Sequence, residues 1–123
     1  MAVLDSSTII HLLKGTQQGH ILREKFENEI LTTTSISINE VLIGIKDQQK
    51  ILALEFLKEL EILPFDERAA YKSVELEDYF RKKGKLIGKL DTMIAAICLT
   101  HNLSLITTDK DFDFVPGLKV LTA

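Results

Sequence analysis

Short apolar runs alternate with longer amphipathic segments along this chain, and that alternation constrains the fold more than any other feature. Apolar runs of strand length occur at 1–4, 29–33, 62–64, 103–107 and 118–121. Helical patterns separate these runs, and the first run stops at Asp5-Ser6-Ser7-Thr8, a series of helix-capping residues. Strands that alternate with helices form a parallel sheet covered on both faces. The sequence therefore predicts an α/β fold, a three-layer sandwich with a central parallel sheet of about four to five strands flanked by helices.

The segments between the apolar runs have helical spacing. The pattern predicts helices at 8–14, 18–28, 37–45, 48–60, 66–82 and 91–100. Gly15 and Asn102 stand where the first and last of these helices stop. A loop rich in glycine and lysine, at 83–89, precedes the last helix.

The composition is that of an ordinary globular protein. The 123 residues are 46% hydrophobic and 27% charged, so we expect one domain, over residues 1–123. The single cysteine, Cys98, excludes an intramolecular disulfide and is typical of a reducing, cytoplasmic setting. No apolar segment approaches the ~18 residues of a membrane span, so no membrane partner is predicted. The net charge of −3 neither indicates nor excludes a nucleic-acid partner.

Four acidic residues stand where the chain passes from a strand or loop into a helix: Asp5, Glu40, Asp91 and Asp109. The carboxyl ends of parallel strands share one edge of an open sheet, and ligands bind at that edge. Carboxylates gathered there repel one another unless a cation neutralises them. Oxygen ligands suit Mg²⁺ or Mn²⁺, and helix N-termini at the same edge supply donors for a phosphate. The pattern therefore favours metal-assisted hydrolysis of a phosphodiester.

Each acid taken singly also has a purely structural interpretation. Asp5 and Asp91 have the sequence positions of helix N-caps, and Glu40 follows Ser37 at the spacing of a capping box. Asp109 can simply shape a turn. Capping, however, accepts Ser, Thr or Asn as readily as Asp, so capping alone does not explain an acid at every junction.

Two further segments keep two interpretations each. The basic stretch at 81–85, with Lys89 beyond it, is either a solvated helix end or a patch whose Lys83, Lys85 and Lys89 bring a phosphodiester substrate to the acids. Residues 51–57 are apolar on more than one helical face, which indicates core packing or, alternatively, a docking surface.

The junction motifs together resemble the PIN-domain family, specifically the small VapC-type ribonuclease toxins of bacterial and archaeal toxin–antitoxin pairs. The resemblance covers the whole chain in the family's order, so it is more specific than any single motif. The matching segments are Val3-Leu4-Asp5-Ser6-Ser7, Ser37-Ile38-Asn39-Glu40-Val41 with Gly44, Leu63-Pro64-Phe65-Asp66, Asp91-Thr92-Met93-Ile94-Ala95-Ala96, Leu105-Ile106-Thr107-Thr108-Asp109 and Phe114-Val115-Pro116-Gly117-Leu118.

This resemblance implies a Mg²⁺- or Mn²⁺-dependent RNA endonuclease that acts as the toxin of a type II pair. It implies that the four junction acids bind the metal, with Glu40 either a ligand or the catalytic base. Many similar toxins carry Asn at the position of Asp109, so Asp111 is a second candidate ligand and Asp113 a third. Ser7 matches a hydroxyl position able to contact a water on the metal.

The resemblance also implies partners. An RNA is the expected substrate, and a cognate antitoxin is expected to cover an apolar groove and place a basic side chain against the acids. Dimers are usual among such toxins, so a homodimer is expected here.

Two rival functions remain. A receiver-type phosphoacceptor domain is also small, α/β and Mg²⁺-dependent, but it needs an Asp at the end of a mid-chain strand, where residues 48–60 predict helix. A catalytically silent PIN-like binding module would keep the fold without turnover. Mg²⁺-dependent cleavage of a generic RNA, with EDTA as control, separates these possibilities.

Overall fold

One parallel sheet organises the chain, of which the computed structural model describes residues 1–122; Ala123, part of the predicted domain, lies outside them. The paired strands all run parallel, which confirms the predicted α/β sheet. The last two strands are each two residues shorter than their predicted runs. The five strands are β1 (Ala2–Leu4), β2 (Leu31–Thr34), β3 (Glu61–Leu63), β4 (Ser104–Ile106) and β5 (Val120–Leu121).

Helices connect the strands near the predicted positions. They are α1 (Ser6–Lys14), α2 (Gln17–Lys25), α3 (Ser35–Gly44), α4 (Lys50–Lys58), α5 (Glu67–Lys83) and α6 (Lys89–Thr100). Two short 3₁₀ helices, Asp47–Gln49 and Lys110–Phe114, were not predicted as such. We call Lys110–Phe114 the C-terminal 3₁₀ helix. Within residues 1–122, no helix combines the length and apolar character needed to cross a membrane.

Three helices, α1, α3 and α6, begin two residues earlier than predicted, and for α3 and α6 the reason is a cap upstream of the acid. The Thr34 side chain accepts the backbone N–H of Ser37 at 3.0 Å, so α3 begins at Ser35. Gly88 precedes the first residue of α6, which makes Asp91 the third residue of that helix. The capping-box interpretation of Glu40 and the N-cap interpretation of Asp91 are therefore wrong.

Both faces of the sheet are covered, as the continuous apolar runs predicted. Val3 faces a core built with Phe80 of α5 and Ile94 of α6. Its neighbours Ala2 and Leu4 face the opposite core, which contains residues of α1, α2, α3 and α4. Cys98 is fully buried in the first core, and burial raises the pKa of its thiol to about 12. Cys98 is therefore a small core residue, in a three-layer arrangement that matches the prediction.

The strand order places a ligand-binding edge beside β1. The order is β3-β2-β1-β4-β5, so the chain leaves β1 toward β2 and later returns to the other side of β1 with β4. Open α/β sheets bind ligands at such a switch point, at the carboxyl ends of the strands. Asp5 follows β1 there and Thr107 follows β4. A receiver-type domain has the order 2-1-3-4-5, so the topology excludes that rival.

Candidate active site

Asp5 is held in one orientation by donors from two strand ends. The residue is almost fully buried, with 3% of its surface exposed. One carboxylate oxygen, Oδ1, accepts the Thr8 backbone N–H at 2.9 Å, which caps α1. The Ser7 hydroxyl lies 2.9 Å and 3.1 Å from the two carboxylate oxygens, and the Thr107 hydroxyl donates to Oδ2. Asp5 is thus both a helix cap and a carboxylate fixed at the switch point.

Hydroxyl groups join the end of β4 to the end of β1. The Thr107 hydroxyl, which donates to Asp5, accepts the backbone N–H of Asp109 at 3.0 Å. The Thr108 hydroxyl donates to the Ser7 hydroxyl at 3.2 Å. These bonds connect two segments about a hundred residues apart in the chain, and they set the position of Asp109 relative to Asp5.

Asp109 shapes a turn, as its structural interpretation predicted. Its Oδ1 accepts the backbone N–H of Asp111 at 2.9 Å and so caps the C-terminal 3₁₀ helix. The same carboxylate is close enough to Asp91 to alter its titration, as described below. The structural role and a place in the acidic site are therefore compatible for this residue.

Glu40 reaches the site from the middle of α3. The Ser6 hydroxyl donates to Glu40 Oε1 at 3.1 Å, across the contact between α1 and α3. Because Ser6 follows Asp5 directly, this bond ties the third acid to the same strand end. Sequence spacing did not indicate the pair, since the two residues are 34 positions apart.

Burial and the charges of neighbouring acids both act on the pKa of Asp91. Its pKa rises from the ordinary value of 3.8 to about 6. Burial is the largest cause, followed by the charges of four other acids: Asp109, Glu40, Asp5 and Asp111. Within residues 1–122, Asp113 is not among the groups that shift this pKa. The structure thus brings Asp91 within the electrostatic influence of the other three junction acids and Asp111.

The donor set has the chemistry of a site for a hard divalent cation. Every candidate ligand is a carboxylate, the ligand type that Mg²⁺ and Mn²⁺ prefer. The raised pKa of Asp91 shows an excess of negative charge that a cation would relieve. As the side chains stand in residues 1–122, no three His, Cys, Asp or Glu groups converge closely enough to hold an ion. The fit therefore rests on donor type and charge.

The predicted basic patch divides into a helix end and a loop. Lys83 closes α5 in a last turn with Arg81 and Lys82, which agrees with the helix-end interpretation. Lys89 is the first residue of α6, two positions before Asp91. Lys85 lies between the two helices, and its Nζ is 4.3 Å from the ring centroid of Phe114 in the C-terminal 3₁₀ helix. Of the candidate phosphate-binding lysines, Lys85 thus contacts the segment that carries Asp109 and Asp111.

Sequence reasoning selected the acids as candidates and assigned no role to the hydroxyl residues that bond to them. Ser6, Thr107 and Thr108 appeared only as members of motifs, with no role assigned. Their position, directly beside a junction acid at the end of a strand, is the signal that was available.

Comparison with known proteins agrees with this fold. The sequence profile of the PIN domain matches residues 2–118. Ribonuclease VapC of Rickettsia bellii is 34% identical, over 98% of this chain and 94% of the relative. A chain of the DNA-bound VapBC structure from Salmonella typhimurium superimposes with a TM-score of 0.88 at 24% identity, covering 99% of this chain and 98% of that one. A chain of a toxin–antitoxin complex from Klebsiella pneumoniae does so with a TM-score of 0.82 at 26% identity, covering 99% and 97%. A profile match over nearly the whole length, on a parallel sheet with acids at its switch point, means that this chain belongs to the PIN-domain family.

Proposed function

We propose that this protein is a Mg²⁺- or Mn²⁺-dependent RNA endonuclease and the toxin of a type II toxin–antitoxin pair. The observation that carries the proposal is the geometry at the carboxyl edge of the sheet, where the buried Asp5 is bonded to Thr107 and Thr107 in turn to Asp109. Burial and the charges of four other acids raise the pKa of Asp91 as well. The 34% identical relative is named a ribonuclease VapC, which supports RNA as the substrate. An RNA substrate also implies a cytoplasmic location, and one sheet containing all described strands supports a single domain over residues 1–123.

The acids divide into cation ligands and a candidate base. Asp5, Asp91 and Asp109 are the proposed ligands, Asp111 is a second candidate beside Asp109, and Glu40 is a ligand or the base. When bound, a divalent cation supplies positive charge that neutralises the carboxylates and the scissile phosphate, and it acidifies a water. Ser7 and Thr107 hold Asp5 in one orientation throughout.

If Glu40 is the base rather than a ligand, it takes the proton of the attacking water. The Ser6 hydroxyl engages Oε1, which leaves Oε2 as the oxygen available for that proton. Water then forms the new bond to phosphorus as the bond to the 3′ oxygen breaks, and that oxygen leaves as a hydroxyl after gaining a proton. The products are a 5′-phosphate and a 3′-hydroxyl. Lys83, Lys85 and Lys89 contact phosphates of the flanking nucleotides.

Cleavage of a generic single-stranded RNA tests the enzyme proposal. We expect Mg²⁺ to support cleavage, EDTA to abolish it, and the products to carry 5′-phosphates. Asp91→Asn should reduce the rate on the order of 10³-fold, because it removes a carboxylate that would hold the cation against the reacting phosphate. Asp113→Asn is the matched control, since Asp113 is an exposed acid in the C-terminal 3₁₀ helix that does not shift the pKa of Asp91.

Two results would contradict this proposal. Cleavage that persists in EDTA would exclude metal dependence, and equal rates for the two variants would remove Asp91 from the site. RNA binding without any cleavage would favour a silent binding module.

An apolar groove supports an antitoxin as partner. A cavity of about 250 Å³ lies between α1, α2 and α4, with Leu12, Leu22 and Phe56 on its walls and Arg23 and Glu27 among the lining residues. A second pocket shares Leu12, Arg23 and Phe56 and extends the groove along α4 to Leu52, which is 54% exposed. Solved relatives include a toxin–antitoxin complex, so we propose that an apolar antitoxin segment occupies this groove.

Substitution in the groove tests the partner. Leu52→Glu should prevent co-purification with the product of the neighbouring reading frame when the two are co-expressed, while RNA cleavage by the isolated variant persists. Glu61→Gln, a change at an exposed position of β3, is a control that should leave the complex intact. A complex that survives Leu52→Glu would place the antitoxin elsewhere.

We also propose a homodimer. Large apolar side chains are exposed on α3 and α5, including Ile43 and Val74. Sedimentation equilibrium of the isolated protein measures its mass directly. A mass near the 13.9 kDa of the chain at micromolar concentration would contradict the dimer.

A further inference from the structure

The C-terminal 3₁₀ helix buries one phenylalanine and exposes another. Phe112 is fully buried, whereas Phe114 is 51% exposed. Phe114 stays exposed although the ammonium group of Lys85 lies 4.3 Å from its ring centroid and so covers part of the ring. A contact of this kind is a cation–π interaction. Packing of the core therefore does not account for an aromatic residue at position 114.

The period of a 3₁₀ helix places Phe114 on the side that carries Asp111. Residues three apart are eclipsed in such a helix, and three residues rise about 6 Å. Phe112 faces the core, and Val115, which follows the helix, is buried as well. Asp111 and Phe114 form a different row, and the Asp111 backbone N–H donates to the Asp109 carboxylate at 2.9 Å. The exposed ring thus lies about one helical turn from an acid of the site.

The loop between α5 and α6 contacts the exposed side of the C-terminal 3₁₀ helix through Lys85. Lys85 follows Gly84, the residue that ends α5, and precedes Gly88, the residue that caps α6. Asp91 lies on the first turn of α6, so the loop reaches from the acids to Phe114 through Lys85. The loop also exposes Leu86, which is 74% accessible. A cation and an aromatic ring are therefore held together beside the acidic site.

We propose that Phe114 and Lys85 form a platform on which an unpaired nucleobase of single-stranded RNA stacks, next to the scissile phosphate. Every base has a flat apolar face, so an exposed aromatic ring stacks on it without reading its sequence, and a neighbouring cation holds the adjacent phosphate. Bases in a duplex are already stacked and cannot reach such a ring. The platform therefore selects single-stranded over double-stranded RNA. This inference rests on the proposed endoribonuclease function and specifies the form of its substrate.

Equilibrium binding of a short fluorescent RNA tests the platform. The measurement uses fluorescence anisotropy with Ca²⁺ in place of Mg²⁺, and gels verify that the RNA stays intact. Phe114→Leu should weaken binding of the single strand about 10-fold, within the range that base–aromatic stacking provides, and Phe114→Trp should preserve it. Affinity for a duplex of the same sequence should not change. Tyr71→Leu is the matched control, because Tyr71 is an exposed aromatic residue of α5 about 18 Å along the helix axis from Lys83.

Abasic RNAs locate the stacked base. Removal of one base at a single position should weaken binding by wild type about as much as Phe114→Leu does, with no further loss when both changes are combined. Lys85→Gln should reduce the salt dependence of binding while the sensitivity to that abasic position remains. Thermal unfolding of each variant verifies the fold.

The outcomes separate the platform from the enzyme proposal. Equal single-strand affinity of wild type and Phe114→Leu would overturn the platform, even if wild type cleaves RNA. A similar loss on single strand and duplex would also overturn it, because stacking of an unpaired base cannot affect a duplex. Single-strand binding that depends on Phe114, without any cleavage in Mg²⁺, would support the platform and contradict the enzyme proposal.

Discussion

Asp5 and Asp91 face the same site but lie in opposite environments. Asp5 is almost fully buried and accepts hydrogen bonds from the Thr8 backbone and from the hydroxyls of Ser7 and Thr107. Asp91 is partly buried, lies in the first turn of α6, and has a pKa raised to about 6 by burial and by the surrounding acids. The fold satisfies the first carboxylate by itself and leaves the second with uncompensated charge.

The difference separates two tasks of an acidic site. A carboxylate bonded by the protein is pre-positioned before any ligand arrives, which lowers the reorganisation needed on binding. A carboxylate under repulsion gains the most when a cation binds, because binding removes the repulsion. We therefore expect Asp5 to set the geometry of the site and Asp91 to supply much of its attraction for a cation.

The largest expected effect tests whether Asp5 acts only as a helix cap. Asp66 caps α5 by accepting the Ala69 backbone N–H at 2.9 Å, the same geometry that Asp5 has with Thr8. Asp5→Asn should reduce RNA cleavage on the order of 10³-fold, whereas Asp66→Asn should leave the rate within about 2-fold of wild type. Initial rates on one RNA measure both. Equal losses would mean that Asp5 acts only by capping.

Asp5 and Asp66 can also be compared by the unfolding free energies of their alanine variants. Asp66→Ala removes a cap and should cost about 1 kcal/mol of unfolding free energy. Asp5→Ala also leaves the Ser7 and Thr107 hydroxyls without their acceptor, so it should cost about 2–3 kcal/mol. Urea titrations in EDTA give both values. If Asp5→Ala is as stable as wild type, relief of repulsion outweighs the lost hydrogen bonds.

Thr107 tests whether the orientation of Asp5 matters for catalysis. Thr107→Val keeps the side-chain shape but removes the hydroxyl that donates to Asp5 and accepts from Asp109. We expect an activity loss of about 10-fold, at the lower end for groups that orient a metal ligand. Thr107→Ser should restore activity, since it returns the hydroxyl. Loss of activity in both variants would indicate that packing at this position, rather than the hydrogen bond, is required.

The smallest expected effect concerns pH and Asp91. Its folded-state pKa of about 6 exceeds the ordinary 3.8, so the folded protein binds a proton that the unfolded chain lacks between these values. Without a cation, this group therefore destabilises the fold above pH 6, and the penalty disappears as pH falls toward 3.8. Asp91→Asn should add about 1 kcal/mol at pH 7, discounted because the group is partly exposed, and little at pH 4. Urea titrations in EDTA at the two pH values measure the difference. A constant effect of the substitution would contradict the raised pKa.

The fold was predictable where the sequence pattern is local. Residues 1–4 and 103–107 are continuous apolar runs because β1 and β4 are covered on both faces. The starts of α3 and α6 were wrong because each cap is displaced from the acid that suggested it. The C-terminal 3₁₀ helix was missed because charged and aromatic residues alternate in it without helical spacing, and its start depends on the bond between Asp109 and the Asp111 backbone.

The sequence predicted the charged residues of the candidate site but not the hydrogen bonds that orient them. Junction position and family resemblance together selected the acids. The supporting bonds join residues that sequence spacing cannot relate, such as Ser6 to Glu40 and Thr107 to Asp5, which are 34 and 102 positions apart. The position of Phe114 beside Lys85 likewise follows from folding of two separate loops onto one another.

The central position of β1 has a consequence for the cell that makes this protein. Strand β1 pairs with β2 on one side and with β4 on the other, and its first residue, Ala2, pairs with Ser104 of β4. A nascent chain that has not yet reached Ser104 lacks strand β4, the Thr107 hydroxyl and Asp109. Translation therefore yields a polypeptide without the complete acidic site until the segment that carries β4 and Asp109 has also been made.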